Sequence, residues 1–253
     1  MDKPMDRTTE TTAVIGAGSG IGRRTAERLS ARGGLIGCID RDEAGAKETA
    51  DAITKAGGKA IALCAEITDK SAMAKTVATL IAEGGRLDVL VNCAGITGKT
   101  NVKPHEVDLD DFDAVYRINL LGAMIASQVV LPAMLKQNYG RILHVASIAG
   151  KDGNAGMAAY SATKAGLIGL VKSIAKDYAE TGITINALAP AVILTPMVAA
   201  LPQATVDYMT AKIPMKRCGS LDEVAAMIAF IVSPECSFTT GFTFDLTGGR
   251  ATY

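Results

Sequence analysis

The chain has 253 residues, with 26 Lys plus Arg set against 26 Asp plus Glu and 49% of its residues hydrophobic. A formal net charge of zero excludes the broad cationic surface that grips nucleic acid or an anionic membrane, and leaves a small, locally recognised molecule as the ligand class. The polar start MDKPMDRTTE lacks the apolar core of a signal peptide, and no apolar run reaches the ~18 residues that span a bilayer, so the expectation is a soluble, cytoplasmic protein without membrane or nucleic-acid partners.

Short apolar runs alternate with longer amphipathic segments along the chain. TTAVIGA comes first and runs into GAGSGIG, Gly16 to Gly22, after which the pattern is helical to about residue 32. Gly16, Gly20 and Gly22 stand in G-x-x-x-G-x-G spacing, which lets a turn take positive φ and lets backbone N–H groups approach a pyrophosphate at the next helix N-terminus. A glycine loop without a ligand would read the same way. LIGCID, the second strand, ends on Asp40, where a carboxylate can bond the ribose hydroxyls of an adenosine and repel a 2′-phosphate. That points to NAD rather than NADP. Against it stand Arg23 and Arg41, either able to pair with a 2′-phosphate, and the possibility that Asp40 caps the helix of residues 42–56.

KAIALCAEI and a helix near 69–83 follow, then LDVLVNCAG, whose small NCAG end (Asn92–Gly95) would let a cofactor lie across the sheet edge. A helical stretch at 110–137 leads to GRILHVAS and Ser147, which in isolation reads as a residue that bonds backbone. The segment AAYSATKAGLIGLVKS is helical over about 158–180 and sets Tyr160 and Lys164 one turn apart on one face. ITINALAP, a helix near 221–232 and GFTFDLT complete the pattern.

This alternation implies βαβ units with right-handed crossovers. The fold class is therefore α/β: a single-domain, Rossmann-type doubly wound fold over residues 1–253, with a seven-stranded parallel sheet, helices on both faces and ligands beyond the carboxyl ends of the strands. No Pro/Gly/Ser-rich linker or repeat marks a boundary. The five cysteines are scattered, and Cys38, Cys64 and Cys93, in apolar runs, read as reduced and buried. With only His105 and His144 and no clustered partners, no metal site is expected.

Taken together, IGAGSGIG, Asp40, NCAG, Asn119, Ser147 and YSATK resemble, in order and spacing, the classical short-chain dehydrogenase/reductases, over Gly16 to Gly249. Four departures stand out: Ile15 for the usual Thr, Cys93 for the second Asn of NNAG, Glu66 for an Asp, and Ala191 where Pro-Gly is common. The resemblance implies that Tyr160 is the general base and acid, its pKa lowered by Lys164 and by the positive nicotinamide of the oxidised cofactor. It implies that Ser147 bonds the reacting oxygen, that Lys164 holds the ribose hydroxyls, and that Asn119 links a water chain to Lys164. Thr195 would bond the nicotinamide carboxamide, with backbone from Val192. The implied cofactor contacts are Gly16, Ser19, Gly20, Ile21, Gly22, Asp40, Arg41, Glu66, Ile67, Asn92, Ala94, Gly95, Tyr160, Lys164, Pro190, Val192 and Thr195.

Substrate contacts are expected from Ser147, Lys151, Asn154, Tyr160 and Met197, with a substrate loop around 191–217. These loops carry polar and cationic groups and one aromatic, Tyr208, which suits a small polar alcohol better than a steroid or long acyl chain. The wording GKDGNAGMAAYSATKAG and the ending FDLTGGRATY resemble the sugar-acid and polyol branch of the family, including dehydrogenases of 2-keto-3-deoxy sugar acids. The alternatives are an NADPH-dependent enzyme resembling 3-oxoacyl carrier-protein reductases, and a dinucleotide sensor without catalysis. The resemblance further implies a homotetramer, in which the tail GGRATY either reaches a neighbour's active site or is frayed.

Overall fold

The computed structural model describes residues 10–200 and 202–253, with the side chains of Pro196, Met197, Ala204 and Thr205 left aside. Seven parallel strands form one sheet in the order β3-β2-β1-β4-β5-β6-β7. They are β1 (Thr11–Ile15), β2 (Leu35–Asp40), β3 (Lys59–Cys64), β4 (Val89–Asn92), β5 (Gly140–Val145), β6 (Ile183–Pro190) and β7 (Thr243–Leu246). β1, β4, β5 and β6 are buried at every residue, and this explains their unbroken apolar reading: both faces of each strand are covered.

Period-two geometry sends alternate side chains of one strand into two cores. Ala13 and Ile15 pack with Met73, Leu80, Ala126 and Leu167, on helices α3 (Lys70–Gly84), α5 (Gly122–Gln137) and α7 (Ala158–Asp177). Val14 packs with Leu29, Ile53, Val224 and Ile228, on α1 (Gly20–Ser30), α2 (Glu43–Lys55) and α10 (Leu221–Ile231). Strand order reverses between β1 and β4, so the crevice of the fold opens over the carboxyl ends of those two strands.

Local chemistry fixes where the helices start and stop. Asp69 caps α3 by accepting from the N–H groups of Ser71 and Ala72, and Gly85, at φ +76°, ends it in the left-handed region. Ser220 and Glu223 form a capping box at α10. The helix expected over 110–137 is instead α4 (Leu109–Tyr116), a π-turn at Arg117–Leu121 and then α5, one rod of 29 residues. By length and composition alone this rod, with a window of mean hydropathy 1.8, is apolar enough to cross a membrane; half of that window is buried, as in the core helix of a globular protein.

Cys64 also departs from expectation. β3 is an edge strand, so its alternate residues face outward and the Cys64 thiol is exposed, reaching the Arg41 carbonyl. The 191–217 stretch is not a plain loop: it contains α8 (Pro196–Ala199) and α9 (Gln203–Ala211). One further short helix, α6 (Ala149–Asp152), follows Ser147.

Candidate active site

Two adjoining clefts lie over the carboxyl ends of β1, β2, β4, β5 and β6. The first, of about 430 Å³, is lined by Gly16, Ser19, Gly20, Ile21, Gly22, Asp40, Arg41, Glu66, Ile67, Ala94, Gly95 and Thr195, all of them candidates from the sequence, and by Cys93 and Ile96. The second, of about 300 Å³, holds Ser147, Tyr160, Lys164 and Pro190. Ile21, Cys93, Gly95, Ile96 and Thr195 line both, so the two form one continuous trough.

The glycines of the loop act by absence of side chain. Gly16 sits at φ +80°, and a Cβ there would come within 2.9 Å of the Ala94 N atom; a Cβ on Gly22 would overlap the Gly16 carbonyl oxygen. The loop therefore folds tightly onto the end of β4 while α1 starts close behind it. Ser19, the residue before α1, makes no side-chain cap, and no acid lies in the first helical turn. A cradle of this build accepts a phosphate group sterically and electrostatically.

Asp40 is held by two backbone donors: the Gly18 N–H to Oδ2 at 2.8 Å and the Asp42 N–H to Oδ1 at 3.0 Å. It is not the helix cap; that position belongs to Asp42. Arg23 donates to the Gly18 carbonyl at 3.1 and 2.7 Å and to Glu48 at 2.9 Å, which turns it away from the trough. Arg41 remains at the rim, 3.9 Å from Glu66.

In the second cleft the Tyr160 phenol and the Ser147 side chain line the same wall, and Ser147 Oγ accepts the Ala149 N–H at 3.1 Å. Burial pushes the phenol up, and the neighbouring Ser147 hydroxyl only partly reverses that. Lys164 Nζ lies 5.7 Å from the ring centroid and donates to the Val145 carbonyl at 2.7 Å. Burial lowers Lys164 itself to about 8.

Asn119 sits in the π-turn, a local irregularity common at functional sites. Its Oδ1 accepts the Ile96 N–H at 2.8 Å, and its Nδ2 donates to the Ile96 carbonyl at 2.9 Å and to Thr163 Oγ1 at 3.2 Å. Thr163 in turn donates to the Tyr160 carbonyl at 3.0 Å. Asn119 thus braces the β4 loop against the Tyr160 turn, and Thr163, which the sequence reading did not single out, is its partner. A Cβ on Gly95 would lie 3.1 Å from Asn119 Oδ1 and 3.3 Å from Lys164 Nζ, so glycine keeps those two groups facing one small space.

Other candidates fall elsewhere. Asn92 is buried at 2% exposure and lines neither cleft; its Nδ2 bonds His144 Nδ1 at 3.2 Å and its Oδ1 accepts the Ala94 N–H at 3.1 Å, a structural brace for the NCAG turn. Val192 lines neither cleft, and its carbonyl accepts the Gly219 N–H at 2.9 Å, joining the loop to the segment before α10. Lys151 and Asn154 also lie outside the trough: Lys151 is paired with Asp245 at 2.8 Å and Asn154 accepts from Arg250 at 2.8 Å. Met197 lies outside the described side chains. The tail is held within the chain, because Arg250 and Tyr253 bond Asp152. Among the described residues, no group of three or more His, Cys, Asp or Glu could hold a metal ion.

His144 has no sequence signal beyond its place in a strand. Its Nδ1 accepts from Asn92, so Nε2–H faces Ser127 Oγ at 3.0 Å, and burial and Lys164 lower it to about 4. The unfolded chain binds this proton near pH 6.5 and the folded one only near 4, so stability is lost as pH falls through that window. We expect His144→Gln to flatten the fall in thermal midpoint between pH 6.5 and 4, measured by calorimetry; an unchanged slope would refute the assignment.

The comparisons with known proteins agree with this geometry. A family profile described as Enoyl-(Acyl carrier protein) reductase matches residues 16–250. The chain is 44% identical over 241 residues to the 2-dehydro-3-deoxy-L-rhamnonate dehydrogenase (NAD(+)) of Sphingomonas sp. (strain SKA58), covering 95% of this chain and 94% of that protein. It is 40% identical over 236 residues to a 3-oxoacyl-acyl-carrier-protein reductase of Salmonella typhimurium, covering 93% and 95%. Among solved structures, NAD+-bound xylitol dehydrogenase superposes with a TM-score of 0.90 at 30% identity, covering 95% of this chain and 98% of that one. With the glycine cradle, the Ser147–Tyr160 contact and Lys164 all on one sheet edge, the chain belongs to the short-chain dehydrogenase/reductase family of oxidoreductases.

Proposed function

We propose that this protein is an NAD-dependent dehydrogenase that interconverts a secondary alcohol and a ketone on a small polar substrate, a 2-keto-3-deoxy sugar acid or a polyol. The observation that carries the reading is that Ser147, Tyr160 and Lys164 line one cleft that runs into the glycine cradle. The residues fit a dinucleotide: a Cβ would fill the cradle at Gly16 and Gly22, and Asp40 is a fixed acceptor for ribose hydroxyls at the far end. When bound, NAD supplies the acceptor for the substrate hydride. The protein's part is to hold the substrate oxygen with Ser147, to take its proton on Tyr160, and to keep Lys164 charged beside them.

Substrate class is drawn from the relatives, one of which is named for a dehydro-deoxy sugar acid and another for xylitol. The reductase reading, favoured by the family profile's description, would call for a cation at the 2′-position. Arg41, at the rim of the cleft, is its support, while Arg23 is committed to Gly18 and Glu48, which counts against it. A sensor without catalysis would gain nothing from a buried Lys164. The reading includes one domain across residues 1–253, with the substrate side formed by 191–217, in a cytoplasmic homotetramer. Ala162 and Gly169 lie exposed on α7, and Phe242 and Phe244 stack edge to face at the sheet's edge, in support of such contacts.

A panel of polyols, aldonic acids and keto-deoxy sugar acids with NAD or NADP, followed by absorbance of the reduced cofactor, tests the function. Asp40→Ala should raise the KM for NAD about tenfold and lower that for NADP, since it removes both an acceptor and the charge that repels a 2′-phosphate. A wild type that already prefers NADP would overturn the role given to Asp40.

A further inference from the structure

α6 has only four residues, too few to hold a helix by its own hydrogen bonds, yet it carries the backbone groups that orient Ser147. The Ala149 N–H donates to Ser147 Oγ at 3.1 Å, the Gly150 N–H to the Ser147 carbonyl at 2.9 Å, and the Ile148 N–H to the Pro190 carbonyl at 3.0 Å. Something outside the turn must keep it in place. On one side it lies flush against α7, since a Cβ on Gly150 would come within 2.6 Å of the Lys164 carbonyl carbon.

On the other side it is tied by Lys151. That side chain is only 10% exposed, its Nζ lies 3.0 and 2.8 Å from the two Asp245 oxygens on β7, and it also donates to the main-chain oxygen of Tyr253. The Tyr253 hydroxyl donates to the Lys151 carbonyl at 3.2 Å and to Asp152 at 3.3 Å, and Arg250 bonds Asp152 at 3.2 Å and Asn154 at 2.8 Å. We propose that Lys151 is a positioning residue: its clamp on Asp245 and the C-terminal segment presses α6 onto α7 and so sets the Ser147 hydroxyl against Tyr160. This rests on the dehydrogenase reading above. A mostly buried ion pair adds little net stability over an apolar pair, but it fixes geometry through two directed bonds.

The test compares wild type, Lys151→Met, Lys151→Arg and Asp245→Asn, with 2-dehydro-3-deoxy-L-rhamnonate and xylitol as probes. Lys151→Met and Asp245→Asn should lower kcat about tenfold or more while the KM for NAD stays within twofold, and Lys151→Arg should recover most of the loss. An unchanged kcat in folded Lys151→Met, whatever its melting temperature, overturns the proposal. Asp245→Asn keeps side-chain shape and decides the matter if Lys151→Met does not fold. Crystal structures of wild type and Asp245→Asn supply an arm that needs no substrate: Ser147 Oγ should leave Tyr160 in the variant, and an unmoved Ser147 overturns the clamp. Full activity in Tyr160→Phe would instead sink the dehydrogenase mechanism, leaving the crystallographic arm to judge the clamp alone.

Discussion

Tyr160→Phe is expected to reduce kcat by about 10²–10⁴-fold while NAD binding changes by no more than a few-fold. The substitution deletes one hydroxyl and keeps the ring, so the wall of the second cleft survives and only the proton-transfer group is lost. Steady-state rates and a fluorescence titration with NAD measure the two halves separately. The pH profile carries a second expectation. Burial raises the phenol and holds it neutral at pH 7 in the free enzyme, whereas oxidation of an alcohol needs the phenolate. kcat/KM for oxidation should therefore climb with pH from neutrality upward. Near-normal turnover in the variant, or a flat profile in the wild type, would refute the assignment.

Sequence pattern carried the strands well because β1, β4, β5 and β6 are covered on both faces and read as pure apolar runs. It carried the glycine cradle, Asp40 and the Tyr160–Lys164 turn for the same reason: each is a short motif whose spacing is itself the geometry. It failed where function depends on which way a side chain turns. Asn92 and Lys151 both stand at strand ends or loops near the trough, yet one bonds buried His144 and the other bonds Asp245. Those partners lie 52 and 94 residues away, and local pattern cannot reach them. Cys64 failed by topology, since only the strand order makes β3 an edge. The π-turn at Arg117–Leu121 was hidden because its residues suit an α-helix equally well; the bonds from Asn119 to Ile96 become visible only in the folded chain.

Lys164→Met should abolish most activity and yet raise the thermal midpoint at pH 7. Lys164 is 4% exposed, no carboxylate among the described residues pairs with it, and burial lowers it from 10.5 to about 8. Each unit is worth about 1.4 kcal/mol, so holding the ammonium in the fold costs about 3 kcal/mol at neutral pH. Methionine fills a similar volume without charge. Against that gain stands the Val145 carbonyl, which would lose its 2.7 Å donor at a cost of about 1–2 kcal/mol. The balance favours the variant by about 1–2 kcal/mol, a rise of a few degrees for a chain of this length. The sign with pH is fixed by linkage. Between about 8 and 10.5 the unfolded chain binds more protons than the folded one, so wild-type stability grows with pH across that window. The advantage of the variant should be full below pH 8 and shrink as pH rises toward 10.5. Calorimetry at pH 7 and pH 10 measures this, and a variant less stable than wild type at pH 7 would refute it. The expected pairing of lost turnover with gained stability follows from the proposed mechanism, in which a buried ammonium beside Tyr160 would serve proton transfer at the expense of the fold.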